Sequence, residues 1–354
     1  MKQYLYKIAT DQDRSVIGTL IKLPLWLVSL FYALGVRMVT DFYFLGLFKE
    51  KRLSQPVISV GNITWGGTGK TPLVISIIQF LKEKNFKPAI LTRGYMDSGD
   101  GGEDDSDEAL LLKRSCNDVP VLVGADRFKQ AQEALKKQPI DLFVMDDGFQ
   151  HLPLARDLDI AVIDTLNPFG NGWLIPRGIL REPVGALRRA DIFVLTRVDL
   201  GLENLKRVQE ELHSVNPATP IVESIHQPVA LVGLRSEAQR DLNFIKGKTI
   251  ASLNAIGNPD AFHNTLKALG ARIQKDFSFI DHHVYTVDDI KRINRTCLEQ
   301  KIDTLVTTEK DAVKLRKLID AFEPELNILS LKIKIKFTAG EKEFFDRISH
   351  LLQR

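Results

Sequence analysis

The stretch "SVGNITWGGTGKTPLVISIIQFL", residues 59–81, decides the fold. It begins as an apolar strand, passes through a glycine-rich turn and runs into an apolar helix. Gly66, Gly67 and Gly69 let backbone N–H groups turn inward around an anion, and the following helix offers its positive N-terminus. Lys70 can reach the outer phosphates of a nucleotide, and the Thr71 hydroxyl can ligate Mg²⁺. Pro72 stands early in the helix, where its missing N–H costs little. The pattern G-x-x-x-x-G-K-[ST] asks for glycine at position 64, but Thr64 is there. Trp65 likewise replaces the first lysine of the variant K-G-G-x-G-K-[ST]. Gly66 and Gly67 supply the missing backbone freedom, so residues 64–71, Thr68 included, read as a phosphate-binding loop.

Outward from this loop, short apolar runs alternate with helical ones. "KPAILTRGY", "VPVLVG", "IDLFVMDDG", "LDIAVIDT" and "ADIFVLTRVDL" read as strands, with helices such as "DEALLLKRS" and "DRFKQAQEALKKQ" between several of them. Continuously apolar strands separated by helices indicate a mostly parallel, doubly wound α/β sheet buried on both faces. Ligands then bind beyond the carboxyl ends of the strands. The pattern divides the chain into an N-terminal helical segment (1–40), a P-loop domain (41–225) and a smaller α/β domain (226–335). In the last, "PVALVGL" and "LSLKIKIKF" could pair as a two-stranded connector, returning the final helix (336–354) to the first domain.

The 354 residues carry 44% apolar side chains and a net charge of +3, enough for two packed domains. The charge is mild and no basic run is interleaved with aromatics, so nothing indicates a nucleic acid partner. Acidic residues concentrate at 97–108 and basic ones near 177–189. Cys116 and Cys297 stand alone and read as free buried thiols in a reducing compartment. Near the N-terminus, "LPLWLVSLFYALGV" (23–36) is bracketed by Lys22 and Arg37. It is shorter than the ~20 residues a bilayer span needs, and it is badly placed for a signal peptide. Two readings survive: a core helix, which periodicity favours, or a helix lying in a membrane interface.

Several strand ends carry chemistry. In "LFVMDDGFQH", Asp146 and Asp147 close an apolar strand, as an acidic pair does where a carboxylate holds Mg²⁺. "LTRVD" (195–199) is similar to the base-reading T/N-K-x-D motif with Arg197 in the lysine's place; a plain loop is the alternative. Asp107 and Glu108 start a helix, where they could simply complement its dipole. Asp281, His282 and His283 precede a turn, too few for a metal site, and a histidine orienting a carboxylate base is the better functional reading. A P-loop switch GTPase, a metallochaperone GTPase and a nucleotide-binding adaptor remain alternatives to a kinase.

Taken in order, "VGNITWGGTGKTP", "LTRGY", "MDDGFQH", "DHHVY" and "TEKDAVKL" resemble the tetraacyldisaccharide 4'-kinase family, the lipid A 4'-kinases, over nearly the whole chain. The resemblance implies transfer of the γ-phosphate of ATP, with Mg²⁺, to the 4'-hydroxyl of lipid A disaccharide 1-phosphate. It places that reaction at the cytoplasmic face of the inner membrane and calls for no protein partner. It puts ATP on residues 64–71 with Lys70 on the phosphates and Arg181 nearby, beside Glu182. Thr71, Asp146 and Glu108 are expected on the metal, and Asp147 at the metal and substrate hydroxyl. Asp107 becomes the counterpart of the family's catalytic aspartate, although "SDEA" replaces the family's G-D-E-P. His282 would pair with it across a domain cleft when the cleft closes. Whether Asp107 or Asp147 takes the proton stays open. A lipid acceptor also turns the reading of helix 23–36 toward a membrane-surface contact.

Overall fold

The computed structural model describes residues 8–11, 13, 15–94 and 106–353; most of the acidic stretch 97–108 lies outside them. The chain forms two compact units.

The first unit is built on parallel strands. They are β1 (Val57–Gly61), β2 (Pro88–Thr92), β3 (Val121–Val123), β4 (Leu142–Asp146), β5 (Leu158–Asp164), β6 (Ile192–Thr196) and the start of β7 (Ile221–Gly233). Their order is β7-β6-β5-β1-β4-β2-β3, and each adjacent pair runs parallel. Every residue of β1, β2, β4, β5 and β6 is buried, which explains their unbroken apolar character. The order reverses around β1, so the chain leaving β1 emerges at the switch point where doubly wound sheets hold ligands. The closing helix Glu341–Leu351 groups with this unit, its Phe345 ring stacked 4.3 Å from Phe80.

The second unit carries β8 (Gln239–Arg240), β9 (Thr249–Asn254), β10 (Arg272–Ser278), β11 (Thr304–Thr308) and β12 (Asn327–Ala339). β10, β9, β11 and β12 run parallel in that order, and β8 pairs antiparallel with the end of β7. Strands β7 and β12 each carry the chain from one unit into the other. One boundary differs from the contiguous division at 225. The helix Asp107–Ser115, expected inside 41–225, groups with His226–Ile335, because it packs on the helix Glu309–Leu315.

The N-terminal apolar helix also differs from its expectation. It runs over Val16–Phe44, 29 residues, rather than 23–36. Lys22 and Arg37 do not stop it, since both are good helix formers. At 1.5 Å per residue it is about 44 Å long, so its length does not exclude a span. It is not a core helix: Ile17, Leu20, Leu23, Leu27, Phe31 and Leu34 are all exposed. Among the described residues, one face is engaged. Ser29 Oγ donates to Leu174 O at 2.8 Å, Tyr32 Oη donates to Arg181 O at 3.0 Å, and Trp26 meets Trp173 edge-on.

Candidate active site

In the first unit, the loop after β1 leads into the helix Lys70–Glu83. Thr64 is no defect in it. Its backbone bridges antiparallel to Leu180, the adjoining Trp65 N–H donates to Ile179 O at 2.6 Å, and Asn62 Nδ2 donates to its hydroxyl at 3.0 Å. Such a bridged residue needs none of glycine's freedom. The left-handed positions fall later, at Gly66 (φ 121°) and Gly69 (φ 92°), where a side chain would be strained. Gly69 caps the helix and points its N-terminus into the loop.

Thr71 Oγ1 donates to Asp146 Oδ2 at 3.3 Å, joining the start of the helix to the end of β4. Lys70 Nζ lies 3.1 Å from Asn62 Oδ1 and 3.4 Å from Asp147 Oδ1. Asp147, in a left-handed conformation at φ 53°, is gripped by both guanidinium nitrogens of Arg181, at 2.8 and 2.9 Å. Burial would raise the Asp147 pKa, but Lys70 and Arg181 outweigh it and hold the carboxyl far below the usual range. Asp147 is therefore a fixed anion and a poor proton acceptor. Arg181 also bonds the Asn62 carbonyl at 3.0 Å and the Asn62 side chain. Glu182 turns away, accepting from Arg189 and from Gln150. Arg127, buried, donates to the carbonyls of Asp146 and Asp147 at 3.1 and 3.2 Å.

The loop fits a polyphosphate. A Cβ built on Gly66 or Gly67 meets open space, and the buried Thr68 hydroxyl has no hydrogen-bond partner among the described residues. Lys70 would lie on the phosphates, and Thr71 with Asp146 would hold Mg²⁺. Among the described residues, no group of three or more His, Cys, Asp or Glu forms a metal cluster.

A second set of groups lies within the second unit. Asp107 Oδ2 is 3.4 Å from His282 Nδ1 and 3.2 Å from Lys314 Nζ. The pair expected to meet only on cleft closure is thus already formed inside one unit, because the helix of Asp107 belongs there. Glu108 pairs with Lys310 Nζ at 3.0 Å, and Lys310 also reaches Asp281 at 3.2 Å. These partners exceed a helix-dipole role for Asp107 and Glu108. Burial would raise the Asp107 pKa, but His282, Lys314 and Lys310 lower it on balance. Its hydrogen bond to Asp107 lifts the His282 pKa above the usual 6.5 in spite of burial. His282 itself sits at φ 62°, while His283 takes a separate partner, Asp289 Oδ2, at 3.0 Å. Lys310 and Lys314 are one turn apart on a single helix, so they share a face. Their sequence segment was visible, but their aim at Asp107 and Glu108 was not.

The two cysteines, and His151 at the end of "LFVMDDGFQH", are ordinary. Cys116 and Cys297 are free and buried, each thiol pushed up to about 11 by burial. His151 is pushed down to about 4 by burial and by Arg127 and Arg156.

Comparison with known proteins agrees with this geometry. A family model described as tetraacyldisaccharide-1-P 4'-kinase matches residues 21–353. The chain is 39% identical over 351 residues to a tetraacyldisaccharide 4'-kinase of Syntrophus aciditrophicus (strain SB), covering 92% of this chain and 91% of the relative. It is 34% identical over 368 residues to a protein of the same name from Halothermothrix orenii, covering 96% and 95%. Among solved structures, the "apo" form of LpxK from Aquifex aeolicus in complex with ATP matches with a TM-score of 0.72 at 27% identity. That match covers 94% of this chain and 99% of the other.

Proposed function

Because the chain belongs to the tetraacyldisaccharide-1-P 4'-kinase family, we propose how its residues divide the labour of that family's reaction. The protein is an ATP- and Mg²⁺-dependent kinase of lipid A biosynthesis. It transfers the γ-phosphate to the 4'-hydroxyl of tetraacylated glucosamine disaccharide 1-phosphate. The switch GTPase and adaptor alternatives fall with the family assignment.

The observation that carries the residue assignment is the 3.3 Å contact of Thr71 with Asp146 beside Lys70. It brings the loop's hydroxyl and the strand-end carboxylate together where a phosphate-bound metal is held. Residues 64–71 bind the triphosphate, Lys70 neutralises its outer charge, and Thr71 and Asp146 hold the metal. Bound there, Mg²⁺ supplies charge neutralisation on the transferring phosphoryl group. Asp147 and Arg181 form a fixed ion pair that keeps Lys70 and Asn62 in register. Glu108, paired to Lys310, belongs with the proton-accepting set rather than with the metal.

Asp107 and His282 act together on the acceptor hydroxyl's proton. The imidazole is the member whose pKa is raised, chiefly by Asp107, which stabilises it once charged. The exposed apolar face of the helix Val16–Phe44 lies in the membrane surface on the cytoplasmic side, so that the acceptor's acyl chains can stay in the bilayer.

The test is an assay with radiolabelled ATP, Mg²⁺ and lipid A disaccharide 1-phosphate in detergent, in which a bisphosphorylated lipid must appear. Lys70→Ala should lower turnover roughly a hundredfold or more, the scale of a lost electrostatic contact to the transferring group. Retention of more than about a tenth of the rate contradicts its role.

A further inference from the structure

The segment "LTRVD" closes β6, and its similarity to a base-reading motif leaves a nucleobase contact and a plain loop open for Arg197. Its guanidinium is instead committed elsewhere. One nitrogen donates to the carbonyl of Gly67 at 2.8 Å, and another is ion-paired to the buried Asp164. The preceding residue repeats the pattern, with the fully buried Thr196 hydroxyl donating to the carbonyl of Thr68 at 2.8 Å. Two successive carbonyls of the phosphate loop are therefore tied to two successive side chains at the end of β6.

In a trans peptide the carbonyl and the following N–H point in opposite directions. Tying the Gly67 carbonyl to Arg197 turns the Thr68 N–H away from β6, and tying the Thr68 carbonyl to Thr196 does the same for the Gly69 N–H. Among the described residues, neither N–H has a hydrogen-bond partner. Successive N–H groups turned to one side form an anion-binding concavity. The β6 turn is itself held firmly. Thr165 Oγ1 contacts the carbonyls of Thr196 at 2.9 Å and Arg197 at 2.8 Å, and the Leu200 and Gly201 N–H groups each donate to Arg197 O at 3.0 Å. Arg197 has φ 56°, an uncommon conformation for a residue with a side chain, and it persists under these restraints.

We propose that Thr196 and Arg197 are positioning residues of the phosphate loop. By holding the Thr68 and Gly67 carbonyls outward, they pre-set the Thr68 and Gly69 N–H groups toward the triphosphate before nucleotide arrives. The inference rests on the phosphate-loop reading above and assigns Arg197 no contact with the base.

The test measures binding of ATP, GTP and inorganic tripolyphosphate by calorimetry for Thr196→Val, Thr196→Ser and Arg197→Gln. Melting temperature of the nucleotide-free protein is measured in parallel. Thr196→Val and Arg197→Gln should each bind both ATP and tripolyphosphate roughly tenfold more weakly at a temperature where each is fully folded, Arg197→Gln melting lower because it leaves the buried Asp164 unpaired. Thr196→Ser should restore binding, and the ATP-to-GTP ratio should stay that of the parent. Weakened ATP binding with unchanged tripolyphosphate binding, or an altered ATP-to-GTP ratio, overturns the proposal in favour of base contact. If Thr196→Val fails to fold, Arg197→Gln decides alone. Lys70→Ala separates the two levels. A loss there with none in the β6 variants sinks this inference and leaves the phosphate loop standing, whereas no loss in any variant sinks both.

Discussion

The Asp107–His282 contact makes a quantitative claim about catalysis. A positioned general base contributes about 10²–10⁴-fold, or ~2.7–5.5 kcal/mol of barrier. At 3.4 Å the two side chains form one unit, in which the imidazole owes its raised pKa first to Asp107. Removing Asp107 leaves a less basic imidazole without its orienting partner, while removing His282 leaves a carboxylate paired to Lys314 with no imidazole to share the proton. Each single change to alanine should therefore take about 10³-fold from kcat, and the double change should take little more. Independent action would multiply the losses to about 10⁶-fold, a gap of ~4 kcal/mol that kinetics resolves easily. The assay is single-turnover phosphoryl transfer to the lipid acceptor, with ATP affinity measured alongside and expected to hold. A neutral imidazole is needed to accept the proton, so kcat/KM should rise with pH through an apparent pKa above about 6.5. Losing Asp107 should move that limb to lower pH. The corresponding stability term runs the other way: it is fully present below the unfolded histidine's pKa and lost as pH rises through the folded value. A double mutant whose loss equals the product of the singles refutes the pair. An active Asp107→Ala beside a dead Asp147→Ala would move the base to the end of β4, against the ion pair that holds Asp147 charged.

Two further outcomes follow from the first unit. Leu27→Glu with Phe31→Glu, both on the exposed face of the N-terminal helix, should shift the protein from membrane pellet to soluble fraction by roughly a hundredfold or more. ATP binding should not change, and continued sedimentation with membranes would refute the interfacial role. His151, pushed down to about 4, is neutral in the fold, so stability is full above the unfolded pKa of about 6.5 and falls with pH below it. Between about pH 7.5 and about pH 5, the parent should lose about 2 kcal/mol more than His151→Gln in urea unfolding of this unit, and equal losses would contradict the burial argument.

The legibility of the chain followed the range of its interactions. The parallel sheet was readable because strands buried on both faces must be apolar throughout, a local property visible in "IDLFVMDDG" and "LDIAVIDT". The loop at 64–71 was readable because its glycines, lysine and threonine act within a few residues of one another. The helix Val16–Phe44 exceeds the apolar run 23–36 because the charges bracketing that run do not end it: Lys22 sits within the helix in an ion pair with Asp11. The placement of Asp107–Ser115 was hidden for a different reason. A short helix with Leu110, Leu111 and Leu112 has no local signal for which core it joins, and only its packing on Glu309–Leu315 decides.

The same logic explains why the segment "LTRVD" leaves both a base contact and a plain loop open for Arg197. A five-residue motif reports that a cation follows a strand, but not where a left-handed backbone turns it. The residue at that position could address a base or a backbone carbonyl with the same guanidinium. The geometry favours the second: the arginine is engaged by Asp164 and by the Gly67 carbonyl, on strand and loop. On the proposal above, nucleotide preference comes from groups other than Arg197. Changes there should alter how tightly any triphosphate is held, and not which one.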